Sequence, residues 1–135
     1  CCAQMVGFAV SSFRENGVPG LIAQGLGTSM LQVGNILKAP AILIPPTLAS
    51  AILGPLATTV FQMKNAGSAA GMGTSGLVGQ FGTWAVMAGE RGALMKILVL
   101  HFILPAALSL LCSELMRRKN WIRPGDMKLE LGGKD

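Results

Sequence analysis

The sequence predicts an all-α membrane protein, with polytopic transmembrane helices interrupted by broken or re-entrant glycine-rich segments. Three observations carry this expectation. Of the 135 residues, 51% are hydrophobic and only 13% charged, whereas soluble domains carry about a quarter charged residues. Lys64 is the only charge between Lys38 and Glu90, which leaves residues 39–63 and 65–89 uncharged; a bilayer helix needs about 20 such residues. The third is a stretch of glycine and small polar residues, Gly71-Met72-Gly73-Thr74-Ser75-Gly76-Leu77. It nearly copies Gly25-Leu26-Gly27-Thr28-Ser29-Met30-Leu31, which lies 71 − 25 = 46 residues earlier.

Taken in order, residues 1–13 read as the end of an apolar helix. The chain has no initiator Met and opens inside an apolar run, so it is expected to be the C-terminal part of a longer protein. Arg14-Glu15-Asn16-Gly17, followed by Pro19-Gly20, reads as a polar turn with two breakers. Val18 to Leu37 is uncharged but rich in Gly, Gln, Thr, Ser and Asn. Such a segment suits a broken helix facing protein or water better than one facing lipid.

Residues 39–63 form the clearest span and could reach about 37 Å. Pro45, Pro46 and Pro55 preclude a straight helix there, because each removes a donor and crowds the carbonyl four residues back. Gly54-Pro55 is the expected kink. Residues 65–89 are divided by glycines into two pieces, each short for a full crossing, and Glu90-Arg91-Gly92 makes a polar turn. Leu94 to Leu115 is the second good span, with Lys96 able to snorkel at one end and Pro105 as a kink. Trp84 and Trp121 suit membrane interfaces. After Arg123-Pro124-Gly125 the tail reads as polar and loose.

The net charge of +5 comes with no tyrosine and no basic stripe interleaved with aromatics, so a nucleic-acid partner is not expected. Six cations, Arg117, Arg118, Lys119, Arg123, Lys128 and Lys134, follow the last apolar run instead. That asymmetry places the C-terminus in the cytoplasm, with residues 1–116 as the membrane domain and 117–135 as a basic cytoplasmic tail. Cys1, Cys2 and Cys112 lack metal-ligand spacing. Neither a Walker loop nor a Ser/His/Asp set is present, so no metal and no cofactor is expected.

The duplicated motif supplies the candidate site. Glycines allow close backbone approach and small hydroxyls both donate and accept hydrogen bonds, which suits a neutral polyol. The candidate substrate-binding residues are Gly27, Thr28, Ser29 and Gln32 in the first copy and Gly73, Thr74, Ser75 and Gln80 in the second. If both copies are re-entrant, the span between them makes them enter from opposite faces and meet near the midplane, a device used by transporters. Glycines as packing devices, and glutamines as interhelical glue, are the plainer alternatives. His101 within an apolar span reads either as a functional ionisable group or as a histidine bonded to a neighbouring helix. Glu90 could bind a sugar hydroxyl, but beside Arg91 at a turn it reads rather as a solvated or locally paired charge.

The run from Lys38 to Gln80, KAPAILIPPTLASAILGPLATTVFQM followed by NAGSAAGMGTSGLVGQ, together with the earlier GLGTSMLQ, resembles the membrane-embedded IIC component of bacterial phosphotransferase-system (PTS) sugar permeases. It looks most like the divergent branch often labelled toxin regulators. The resemblance implies a multi-pass inner-membrane protein that carries a sugar while cytoplasmic IIA and IIB partners supply the phosphoryl group, making it part of a phosphotransferase complex. A homodimer is the expected assembly. A membrane-embedded ligand sensor on the same scaffold is the alternative. His101 and Glu90 do not match the His and Glu motifs that other IIC branches place near the sugar, so those roles are not carried over.

Overall fold

The computed structural model describes residues 1–129, and every regular element among them is helical. The α-helices are α1 (Cys2–Ser11), α2 (Phe13–Ile22), α3 (Val33–Lys38), α4 (Ile44–Pro55), α5 (Val78–Met87), α6 (Ala93–Leu98) and α7 (Leu104–Arg118). Two continuous rods reach spanning length: Pro40–Val60, built on α4, has 21 residues, and Ala93–Arg118, running through α6 and α7, has 26. At the usual helical rise these are about 32 and 39 Å long, against a hydrocarbon core of about 30 Å. Only 28% and 22% of their apolar windows are buried. Most of each rod therefore turns apolar side chains outward, where lipid or further protein has to cover them.

The expected kinks take a specific form. Wide π-type turns occupy Leu56–Val60, directly after Pro55, and Val99–Ile103, directly before Leu104-Pro105. A π turn takes up an extra residue where proline has removed a donor from the ladder, so the rod continues instead of ending. Thr58 and Thr59 help, donating their hydroxyls to the carbonyls of Gly54 (3.1 Å) and Pro55 (2.6 Å). Threonine can do this in a membrane helix because no water competes for the carbonyl.

α1, α4 and α7 pack against one another and form the centre. They converge at Gly7, where a Cβ would lie 2.6 Å from Ser109 Oγ and 2.7 Å from Pro46 Cβ. Small residues at such crossings let helix backbones approach closely in lipid. α1 runs antiparallel to α4, since Gln4 Nε2 donates to Thr47 Oγ1 (3.0 Å) while Phe8 shares a buried cluster with Ile42 and Met116. Lys96 Nζ reaches the Phe61 carbonyl (3.4 Å), so the second rod begins where the first ends.

The two motif segments form hairpins that approach from opposite ends of this bundle. The first covers residues 13–38. It starts at Glu15 and Asn16, turns at Gly25–Thr28, and returns through Gln32 and Asn35; its start and its return both bond to residues 127–129. The second covers residues 61–92. Lys64 N–H donates to Met87 Sδ (3.3 Å), so its two legs meet at the other end.

The tail is not loose as far as residue 129. Ile122 and Met127 are fully buried in the cluster with Phe8, Ile42 and Met116. Met127 N–H donates to Glu15 Oε2 (2.9 Å), its carbonyl accepts from Asn16 Nδ2 (2.7 Å) and Gln32 Nε2 (3.0 Å), and Leu129 N–H donates to Asn16 Oδ1 (2.7 Å). Residues 120–129 thus form a strap across the base of the first hairpin. The polar segment Arg14–Gly17, folded into α2 rather than as a turn and broken only at Gly17 (φ +59°), is its anchor: Arg117 pairs with Glu15 at 2.7 Å. Residues 130–135 of the expected basic tail, Lys134 included, lie outside the described residues.

Candidate functional site

The tips of the two hairpins touch: the turn Ala23–Gly27 contacts the turn Ser75–Leu77, and α1 runs beside the first. Gly25 faces Ala9, at 3.6 Å from where its Cβ would be. Gly73 faces Cys1 and Met5, with a would-be Cβ 2.9 Å from Cys1 Cβ and 3.0 Å from Met5 Sδ. The two motif segments are therefore neighbours in space.

The copies differ in backbone, however. In the second, Gly71, Gly73 and Gly76 have φ of +86°, +58° and +53°, and Leu77 follows at +61°. A leucine in the left-handed region is uncommon and costs about 1 kcal/mol or more, so the packing around it holds this loop in a strained shape. In the first copy a π turn ends at Gly27, Thr28 is extended (φ −155°), and a short 3-10 turn follows. The residue aligned with Gly76 is Met30, whose side chain disfavours the left-handed region. Like residues thus take unlike conformations.

The hydroxyls separate accordingly. Thr28 is exposed, and its Oγ1 accepts from Met30 N–H (3.1 Å) as a local cap. Thr74 is fully buried, and its Oγ1 has no hydrogen-bond partner. Ser29 and Ser75 are half-buried, Gly27 is exposed and Gly73 buried.

The glutamines separate as well. Gln80, on the first turn of α5, is buried; its Nε2 lies 3.3 Å from Cys2 Sγ and 3.3 Å from His101 Nδ1. Its Oε1 is buried without a partner. His101 sits in the π turn of the second rod, and its contact with Gln80 matches the interhelical reading of that histidine. Gln32 is engaged elsewhere. Its Nε2 donates to Gln24 Oε1 (3.1 Å) and Met127 O (3.0 Å), and its Oε1 accepts from Asn35 Nδ2 (2.8 Å). Gln24 Nε2 in turn donates to Ser12 Oγ (2.8 Å). That buried amide chain ties the first hairpin to α1 and to the strap.

Sequence reasoning missed Cys2 as a neighbour of Gln80, and Ser12, Gln24 and Asn35 as partners of Gln32. The available signal was the run of amides Asn16, Gln24, Gln32 and Asn35 in a nearly uncharged segment, since buried amides need partners. Among the described residues no group of three or more His, Cys, Asp or Glu is placed to hold a metal ion.

The second hairpin carries two buried, unpartnered polar atoms, Thr74 Oγ1 and Gln80 Oε1, with the half-buried His101 beside Gln80 and a half-buried serine on each hairpin. These groups are hydrogen-bonding and uncharged, or ionisable only at His101. Such a set can recognise hydroxyl groups and has no fixed charge to hold an ion. No curated protein and no solved structure matches the chain. A family model described as phosphotransferase system, EIIC, matches residues 1–129. That match covers both rods, both hairpins and the strap, and the chain accordingly belongs to the EIIC family, the integral-membrane permease components of the phosphotransferase system.

Proposed function

We propose that this chain forms part of a IIC sugar permease of the bacterial inner membrane, with the facing hairpin tips contributing to the substrate path. The observation that carries the reading is the pair of buried, unpartnered acceptors on the second hairpin, Thr74 Oγ1 and Gln80 Oε1. Buried polar atoms nearly always have partners, and a sugar hydroxyl would supply one here. Ser29 and Ser75 are the half-buried groups through which both hairpins would share one ligand. Gln32 drops out of the proposed site because both of its N–H groups are already taken.

In this reading the hairpins are re-entrant. Each leaves and regains one end of the bundle, which suits segments too polar and glycine-rich to face lipid. A IIB partner would transfer the phosphoryl group to the sugar on the cytoplasmic side, where the basic tail would lie. The membrane part would be residues 1–116 and the cytoplasmic part 117–135.

The test is sugar affinity measured on purified full-length protein with Ser29→Ala, Ser75→Ala and the double variant. Each single change should weaken binding by about 0.5–1.5 kcal/mol, the worth of one neutral hydrogen bond. The double should depart from additivity because both groups meet one ligand. Unchanged affinity in all three, with folding retained, would move the substrate path away from the hairpin tips.

A further inference from the structure

A cavity of about 600 Å³ opens between α3 and the strap, at the end of the bundle remote from Lys96. Its wall has two kinds of surface. Lys38 and Lys128 supply two cations, and Asn35 an amide. Leu31, Ala39 and Leu129 supply an apolar flank. Neither lysine forms an ion pair with an acidic side chain among the described residues. Among the described residues the one acid on the wall is Asp126, and its Oδ2 accepts from Arg123 N–H (2.8 Å) as a turn cap.

The surroundings point to the membrane surface. The second rod ends at Arg118, and Trp121 just beyond it is 60% exposed, with Lys119 Nζ 5.9 Å from its ring centroid. Tryptophan and lysine in that place favour the headgroup layer. On α3, Leu37 is 82% exposed beside Lys38, an apolar side chain with no protein covering it. The strap that forms the other wall is fixed by the buried Ile122 and Met127, so the cavity has a rigid floor.

We infer that this cavity is a binding site for the phosphate headgroup of an anionic phospholipid, with its glycerol and first acyl carbons against Leu31, Ala39 and Leu129. The two lysines neutralise the phosphate, and the leucines match the amphiphile's apolar part. A free phosphate would use the cations and leave the apolar wall bare. The inference goes beyond sugar carriage and depends only on the chain being in a membrane.

The experiment is native mass spectrometry of the full-length protein released from bilayers of phosphatidylcholine with graded phosphatidylglycerol. Retained phosphatidylglycerol should exceed phosphatidylcholine. Lys38→Gln with Lys128→Gln should cut its apparent affinity about twenty-five-fold, from about fivefold per cation near an anionic surface. Asp126→Asn keeps an oxygen for the Arg123 cap and removes the opposing charge, so it should raise retention. A gain of that kind is outside the reach of simple misfolding. Equal retention of both lipids, or no response to either set of substitutions, would overturn the proposal. So would displacement of the lipid by millimolar inorganic phosphate, which would make the cavity a simple anion site. Loss of binding only when the IIB protein is added would identify the patch as a protein-docking face and also count against a lipid.

Discussion

Thr74 and Thr28 occupy the same place in a repeated motif, yet only one of them is stranded. Thr28 has made its hydroxyl useful by capping a short turn. Thr74 has its Oγ1 buried and unpartnered. An unsatisfied buried hydroxyl costs about 1–3 kcal/mol, and an apolar isostere removes that cost. Thr74→Val should therefore raise the melting temperature of the sugar-free protein in detergent while weakening sugar binding. A change that lowered stability and left affinity alone would show that Thr74 serves packing. Gly73→Val is a poor probe of the site. Gly73 has φ of +58° and its would-be Cβ meets Cys1 at 2.9 Å, so any larger residue disturbs α1 whether or not a ligand contacts the loop. The candidate residues could be named from sequence because glycine and small hydroxyls have limited uses in an apolar chain. Which hydroxyl is free depends on backbone conformation, and there Met30 against Gly76 makes a difference that residue likeness conceals.

At the scale of elements, the strap and the first hairpin hold each other. Their joint is the Glu15–Arg117 pair, whose side chains are 9% and 13% exposed. Arg117 Nη2 also donates to the Ser11 carbonyl (3.2 Å), and Glu15 accepts from Met127 N–H. Removing one partner of a buried pair leaves the other uncompensated, at a cost of about 3–5 kcal/mol. Glu15→Gln should thus lower the melting temperature sharply and speed amide exchange at Met127. Arg14→Gln tests the contrast, because the Arg14–Glu114 pair is exposed (68% and 37%) and such pairs are worth about 0–1 kcal/mol. Equal effects from the two variants would mean the strap is not latched at Glu15. Very little of this joint was legible in the chain. The rods announced themselves through length and lack of charge, and their prolines marked the π turns. The strap is held by residues about a hundred positions away along the chain, without periodicity or motif, so Arg14–Gly17 read as a turn and residues 120–129 as loose. Only the unexplained amides hinted that something polar had to cover them.

The whole molecule sorts its charge by end. Arg14, Lys38, Arg117, Arg118, Lys119, Arg123 and Lys128 belong to the strap end, and Lys64, Arg91 and Lys96 to the other. Cations are retained on the cytoplasmic side during insertion, so the strap end should face the cytoplasm. The sequence by itself left the hairpins open: with the C-terminus inside, two crossing segments and two re-entrant ones merely exchange the sides of Lys38 and Lys64. The folded chain makes the alternatives distinct, because the first hairpin returns Lys38 to the end that holds Arg118, while the second keeps Lys64 and Arg91 together at the opposite end. Single cysteines placed at these four positions, in full-length protein whose native cysteines are replaced by serine, distinguish the two. In intact cells a membrane-impermeant maleimide should label Lys64→Cys and Arg91→Cys, and should reach Lys38→Cys and Arg118→Cys only after the membrane is opened. Labelling of Lys38→Cys but not Arg118→Cys from outside would mean that at least one motif segment crosses the bilayer. In that case the tips of the two hairpins would no longer approach one another from opposite faces, and the shared substrate path built on them would have to be abandoned.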